Sequence, residues 1–323
     1  MLISIVTSLY KSSPYIRELH ERLTLVASRL ATDYEIIFVN DASPDDGLSI
    51  AVEIASRDPH VVVIDLSRNF GQHKAIMRGI AEAKGDRIFV MDSDLEEEPE
   101  WLERVFCELD PLKTDVVYGV QQAKKRNSYY RIGRSVFYFV LNRLSDYHFP
   151  ENVVTARLMT RRYVDALLLF QEREVFLAGV WHVAGFGQMP VLVEKIERSP
   201  TTYTLGRLVA LFLNSVTSFS TKPLMAVFLS GIILSLLAFI YTGVIVYRKL
   251  VWGMSVEGWA SVMAATLTIG GITLMFNGIV AIYVAKIFLE VKQRPRTIVK
   301  SVYRPSVASV TPVAENTPVS IEK

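Results

Sequence analysis

The sequence predicts an α/β fold, with a mainly parallel sheet followed by a pair of membrane-spanning helices. Three observations predict it. From Leu2 to Val120 short β-rich runs alternate with longer helical patterns, the pattern of repeated βαβ units. The runs are continuously apolar, as expected of strands covered on both faces. Near the C-terminus, two long stretches carry no charged residue.

Taken in order, LISIVTS is the first strand; it lacks the basic leader and small-residue cleavage pattern of a signal peptide. A helical pattern follows over Pro14–Leu30. Then come YEIIFVN with a helix over Gly47–Arg57, VVVIDLS with a helix over Gln72–Lys84, DRIFVMD with a helix over Pro99–Leu109, and DVVYGV. The segment TLGRLVALFLNSVTSFS has apolar residues at near-helical spacing. It suits an interfacial helix lying on a membrane, or alternatively a packed domain helix.

Pro223–Tyr247 is uncharged over 25 positions and Gly258–Ala285 over 28. As helices these would run roughly 37 to 42 Å, enough to cross a hydrocarbon core of about 30 Å. The only cations in the short connection RKLVWGMSVE are Arg248 and Lys249. Arg198, Arg207 and Lys222 precede the first span, and Lys286, Lys292, Arg294, Arg296 and Lys300 follow at the end of the second. The positive-inside tendency therefore expects the N-terminal domain and both termini in the cytoplasm. The predicted division is a catalytic domain at 1–203, an interfacial helix at 204–222, a transmembrane hairpin at 223–290, and a cytoplasmic tail at 291–323, whose Ser-, Pro-, Val- and Thr-rich part past Lys300 reads as mobile.

The formal charge of +2 gives no reason to expect a nucleic-acid partner. The single cysteine, Cys107, excludes an intrachain disulfide and a thiolate metal site, and reads as a packed residue.

Ligands of such sheets bind beyond the carboxyl ends of the strands, which directs attention to Ser8–Ser12, Asn40–Ser43, Ser67–Gly71 and Asp92–Asp94. No Gly-rich fingerprint follows the first strand and no GxxxxGK[ST] occurs, which disfavours dinucleotide and P-loop chemistry. In VMDSDL, Asp92 and Asp94 leave a strand end two residues apart, where both carboxylates can reach one cation. Hard oxygens suit Mg²⁺ or Mn²⁺, whose remaining ligands come from water and a substrate diphosphate. The rival reading is a turn before a helix. Glu96, Glu97 and Glu98 before Pro99 fit that rival, as carboxylates at the positive end of a helix dipole. Asp41 in FVNDAS either accepts a hydrogen bond from a base or ribose, or closes an Asx turn. A lone His73 beside Lys74 reads as a surface or capping residue and not a metal ligand.

The ordered motifs FVNDAS, LSRNFGQHKA, Gly85–Asp86, MDSDLEEEPE, RNSYYRIGRSVFY, ARLMTRRYVDAL and EVKQRPRTIV resemble those of family 2 glycosyltransferases of the polyprenyl-phosphate type, over about Ile3 to Val299. The resemblance implies a GT-A nucleotide-diphospho-sugar transferase fold, with Asp92, Ser93 and Asp94 as the metal motif for Mg²⁺ or Mn²⁺. It implies that Tyr10, Asp41, Asn69, Gly71, Asp92 and Ser93 meet the nucleotide sugar, and that Arg126, Ser128, Arg131 and Arg198 meet the acceptor phosphate. Arg131 and Arg157 join Asp92 and Asp94 as catalytic residues. The implied partners are a nucleotide diphosphate sugar and a polyprenyl phosphate such as undecaprenyl phosphate, at a bacterial plasma membrane, with a possible homo-oligomer.

Three positions depart from the family pattern. The opening Pro-x-Tyr-Asn-Glu stands here as Ser8–Ser12, the paired aspartates after the second strand as Asn40 and Asp41, and Thr155 takes the place of an aspartate. A hydroxyl is no base near neutral pH, whereas a phosphate acceptor is already anionic. The altered positions leave open a different donor sugar or reduced activity. The competing functions are transfer to a lipid-linked saccharide and a membrane protein that binds nucleotide sugar with weakened turnover.

Overall fold

The computed structural model describes residues 1–121, 143, 152–173, 177–195, 220–252 and 258–304. The chain divides into two compact units, one of residues 1–132, 149–203 and 294–323, the other of 133–148 and 204–293.

In the first unit β1 (Leu2–Leu9), β2 (Asp33–Asn40), β3 (Val61–Leu66) and β4 (Arg87–Val90) alternate with α1 (Ile16–Leu30), α2 (Gly47–Arg57) and α3 (Gln72–Glu82). Then follow α4 (Trp101–Glu108), β5 (Val116–Gln121), β6 (Val153–Thr160), α5 (Arg161–Leu168), α6 (Leu177–Val183) and β7 (Gln188–Val193). The second unit holds α7 (Lys222–Trp252) and α8 (Trp259–Val291), and the chain re-enters the first unit as β8 (Val299–Tyr303).

The sheet order is β7-β5-β6-β4-β1-β2-β3-β8. β4, β1, β2 and β3 are mutually parallel, β6 runs antiparallel between β4 and β5, and β7 is parallel to β5. Ile3, Ile5 and Leu9 of β1 point to the face covered by Ile16, Leu19 and Leu23 of α1, Ala51 and Ile54 of α2, and Leu102 and Val105 of α4. The other face carries α3. A Cβ at Gly79 would fall 2.4 Å from Val6 Cγ1 and 2.9 Å from Val39 Cγ2, so glycine lets α3 lie close on β1 and β2. Burial on both faces explains why these strands read as unbroken apolar runs.

Two readings are corrected. The stretch expected as a mobile tail past Lys300 begins inside β8, which pairs antiparallel with β3. Its anchors are Ser67 N–H on the Ile298 carbonyl at 2.9 Å, Lys300 beside the buried Asp65 at 3.5 Å and Arg304 beside Glu82 at 3.3 Å. Without a partner strand β3 would present an open edge, and VKSVY supplies one despite its weak pattern. Cys107 is exposed on α4, because Trp101, Leu102 and Val105 form the buried stripe and residue 107 falls opposite it.

α7 and α8 are both long and apolar enough to cross a membrane. At 31 and 33 residues they run about 46 and 50 Å, longer than the uncharged stretches alone. Tyr283 donates its hydroxyl to the Ser220 carbonyl at 2.8 Å within this unit. The interfacial helix expected over 204–222 falls outside the described residues up to position 219.

Candidate active site

Four loops leave the carboxyl ends of β1 to β4, and side chains knit them together. Asp41, buried after β2, accepts the Phe70 N–H through Oδ1 at 2.7 Å and the Gly71 N–H through Oδ2 at 2.9 Å. One carboxylate thus shapes the loop after β3 that carries Asn69. Gly71 has φ +94, a conformation glycine adopts without strain. Ser12 and Ser93 share a buried hydroxyl–hydroxyl hydrogen bond of 2.8 Å, joining the loops after β1 and β4. Ser43 Oγ accepts the Lys11 N–H at 2.7 Å, which ties β1 to β2. Tyr10 is 48% exposed at the rim of this cluster, and Asn69 is exposed too.

Asp92 and Asp94 stand just past β4, with Leu95 in the left-handed region at φ 55. That uncommon backbone turns the chain sharply between Asp94 and Glu96. Asp94 Oδ1 accepts the Glu96 N–H at 3.0 Å, a local Asx-type bond that supports the turn. The Asp92 side chain is 17% exposed and its Oδ1 accepts from Gln72 Nε2 at 2.6 Å. Burial pushes the Asp92 carboxyl up; Lys195 opposes this, Asp94 adds to it, and hydrogen bonds from the Thr155 hydroxyl and the Gln72 amide oppose it.

The three glutamates lie outside α4, which begins at Trp101; Glu98 bonds locally to that first helical residue, while Glu96 and Glu97 have distant partners. Glu97 is completely buried and accepts the Asp92 N–H at 3.1 Å and the Thr155 N–H at 2.8 Å, bracing β4 against β6. Burial, then the charge of Asp92, push its carboxyl up to about 8 against the pull of Lys195 and the two N–H donors. Glu96 lies 3.3 Å from Lys195 Nζ, and Glu98 accepts from Trp101 Nε1 at 3.3 Å.

Lys195, two residues beyond β7, was not singled out in the sequence. Its Nζ lies 3.7 Å from Asp92 Oδ2, and burial alone would lower its pKa, but Asp92, Glu97, Asp94 and Glu96 together raise it. Nothing in the local sequence marks it, since QMPVLV does not read as a strand.

Arg157, expected as a catalytic residue, is 2% exposed and stacks on Trp181, its guanidinium carbon 3.1 Å from the ring centroid. Its Nε donates to the Thr155 carbonyl at 3.3 Å. Burial pushes its pKa down to about 9, with Tyr163, Glu97 and Tyr118 opposing. At 2% exposure this guanidinium is closed off from solvent. Arg126, Ser128, Arg131 and Arg198 lie outside the described residues.

Among the described residues, no group of three or more His, Cys, Asp or Glu side chains is arranged to hold a metal. The donor set at β4 nonetheless fits a hard divalent cation, because two carboxylate ligands suffice when water and a diphosphate complete the shell.

Residues 4–168 match the family described as Glycosyl transferase family 2. The chain belongs to that family. Its mixed sheet is the GT-A fold the resemblance implied. Among this glycosyltransferase's relatives is a Mycobacterium tuberculosis protein provisionally assigned to the glycosyltransferases, 42% identical over 94% of this chain and 89% of the relative. The prophage bactoprenol glucosyl transferase homolog of Escherichia coli is 30% identical over 94% of this chain and 99% of its own. The solved mannosyl-3-phosphoglycerate synthase of Rubrobacter xylanophilus aligns with TM-score 0.46 and 13% identity, over 68% of this chain and 73% of that one.

Proposed function

We propose that this glycosyltransferase moves one sugar, with inversion, from a nucleotide diphosphate donor to a polyprenyl phosphate at the cytoplasmic face of a bacterial plasma membrane. The observation that carries the reading is the Asp92–Asp94 pair at the end of β4, in a family 2 chain that also holds two helices long and apolar enough to cross a membrane. Relatives named as bactoprenol glucosyl transferases, matched over nearly their whole length, support the acceptor class.

Asp92 and Asp94 would hold Mg²⁺ or Mn²⁺, which when bound supplies positive charge against the leaving diphosphate. Gln72 and the Thr155 hydroxyl orient Asp92, while Glu97 fixes the backbone of both Asp92 and Thr155. Asp41 holds the loop of Asn69 and Gly71 where a nucleotide sugar would lie, and Tyr10 offers an exposed ring to its base. An acceptor phosphate oxygen attacks the anomeric carbon, the bond to the diphosphate oxygen breaks, and the diphosphate leaves with the electron pair. Thr155 does not need to take a proton, since the phosphate attacks as an anion. The predicted arginines Arg126, Arg131 and Arg198, with Ser128, would orient that phosphate.

The test is mass spectrometry of lipid product from the detergent-purified chain with undecaprenyl phosphate and a panel of labelled nucleotide sugars. A glycosyl phosphoprenol from one donor supports the reading. Product on a lipid-linked saccharide alone would move the assignment to that acceptor, and donor binding with no transfer to either would favour a weakened enzyme.

A further inference from the structure

Lys195 sits where the charge of an incoming cation would sit. Its Nζ lies 3.7 Å from Asp92 Oδ2 and 3.3 Å from Glu96 Oε2. The amine is four-fifths covered, as are both carboxylates, so these charges are poorly screened. Its backbone, two residues past β7, comes from the far edge of the sheet, about one hundred positions from the acidic turn. A lysine has a flexible four-carbon stem and carries a compact charge, and can leave one anion for another without moving the backbone.

We propose that Lys195 is the resident counter-ion of the Asp92 carboxylate: it competes with the divalent cation, and is displaced from Asp92 when the cation binds. The inference rests on the reading of Asp92 and Asp94 as metal ligands, and goes beyond it in assigning the metal a competitor within the chain. An ammonium and a divalent cation cannot both stay within contact distance of one carboxylate oxygen without strong mutual repulsion. Once displaced, the amine is free to meet the negative charge that arrives with a diphosphate. The metal-free enzyme thus keeps its acidic turn folded, and Lys195 makes tight metal binding conditional on the donor.

The experiment is Mn²⁺ titration of the full-length protein in detergent, without nucleotide, read by the electron paramagnetic resonance signal of free Mn²⁺. Lys195→Met should bind Mn²⁺ at least about tenfold more tightly than wild type, Lys195→Arg should stay weak, and Lys113→Met, which removes a distant exposed cation, should change nothing. Equal or weaker binding by Lys195→Met overturns the proposal, as does absence of binding in both proteins. Asp92→Asn separates the two layers: if it binds Mn²⁺ as wild type does, the metal-ligand reading fails, whatever Lys195 does. A second measurement needs no variant. Mn²⁺ added to wild type should raise acylation of the Lys195 amine severalfold by mass spectrometry, and unchanged labelling overturns the displacement.

Discussion

Glu97 accepts the backbone N–H of Thr155 at 2.8 Å through one carboxylate oxygen and that of Asp92 at 3.1 Å through the other. A side chain that reads as solvated in sequence is the internal brace between β4 and β6. Glu97→Ala strands two N–H donors and leaves a cavity, and should cost about 2–5 kcal/mol of stability. Thermal melts of the purified protein check this; a variant within about 0.5 kcal/mol of wild type would contradict the brace.

Asp41 grips the loop of residues 67–71 from below. Asp41→Ala should release the Phe70 and Gly71 amides and speed their hydrogen exchange by roughly tenfold or more, about 1.4 kcal/mol of local opening. On the proposed function it should also raise the donor KM more than it lowers kcat. Unchanged exchange across residues 68–72 would show that the loop holds its shape by other means.

Asp115 gives a pH dependence of defined sign. It is buried, accepting from Thr160 Oγ1 at 2.7 Å and Arg162 Nη2 at 2.8 Å. Burial raises its pKa, but the Arg162 and Thr160 hydrogen bonds outweigh that and hold the carboxyl below its usual range. A depressed carboxyl stabilises the fold fully above its unfolded value of about 3.9, and that contribution is lost as pH falls through the lower folded value. Asp115→Asn should therefore cost about 1–2 kcal/mol near pH 7, allowing for the exposure of Arg162, and the gap to wild type should close as the pH drops below about 4. A gap that widens in acid would contradict the sign.

β8 closes the free edge of β3 after the chain has passed through α7 and α8. A chain ended at Lys292 should lose that strand and the Lys300–Asp65 pair, and expose the β3 edge. Lower melting temperature and self-association in size-exclusion chromatography are expected. Wild-type behaviour would mean that β8 adds nothing to the sheet.

The sequence showed the βαβ half of the sheet because Ile3, Ile5, Ile37 and Val63 sit in unbroken apolar runs, which burial on two faces demands. It directed attention to Asp92, Asp94 and Asp41 because strand ends are where such folds place ligands. β6 and β7 were not read as strands, since VVTARLMT and QMPVLV carry Arg, Thr, Gln and Pro whose burial or edge position only the tertiary packing reveals. Glu97 resembled its neighbours Glu96 and Glu98 locally, and what sets it apart is the Thr155 amide 58 residues away. Lys195 is similarly visible only when β7 brings it back to the acidic turn.

The most direct test of the central claim compares wild type with the Asp92→Asn, Asp94→Asn double variant, in undecaprenyl phosphate, Mn²⁺ and the donor that wild type uses. Glycosyl phosphoprenol formation should fall by at least about 100-fold, roughly 2.7 kcal/mol of transition-state stabilisation, with the melting temperature retained. Undiminished product from the double variant would contradict the account.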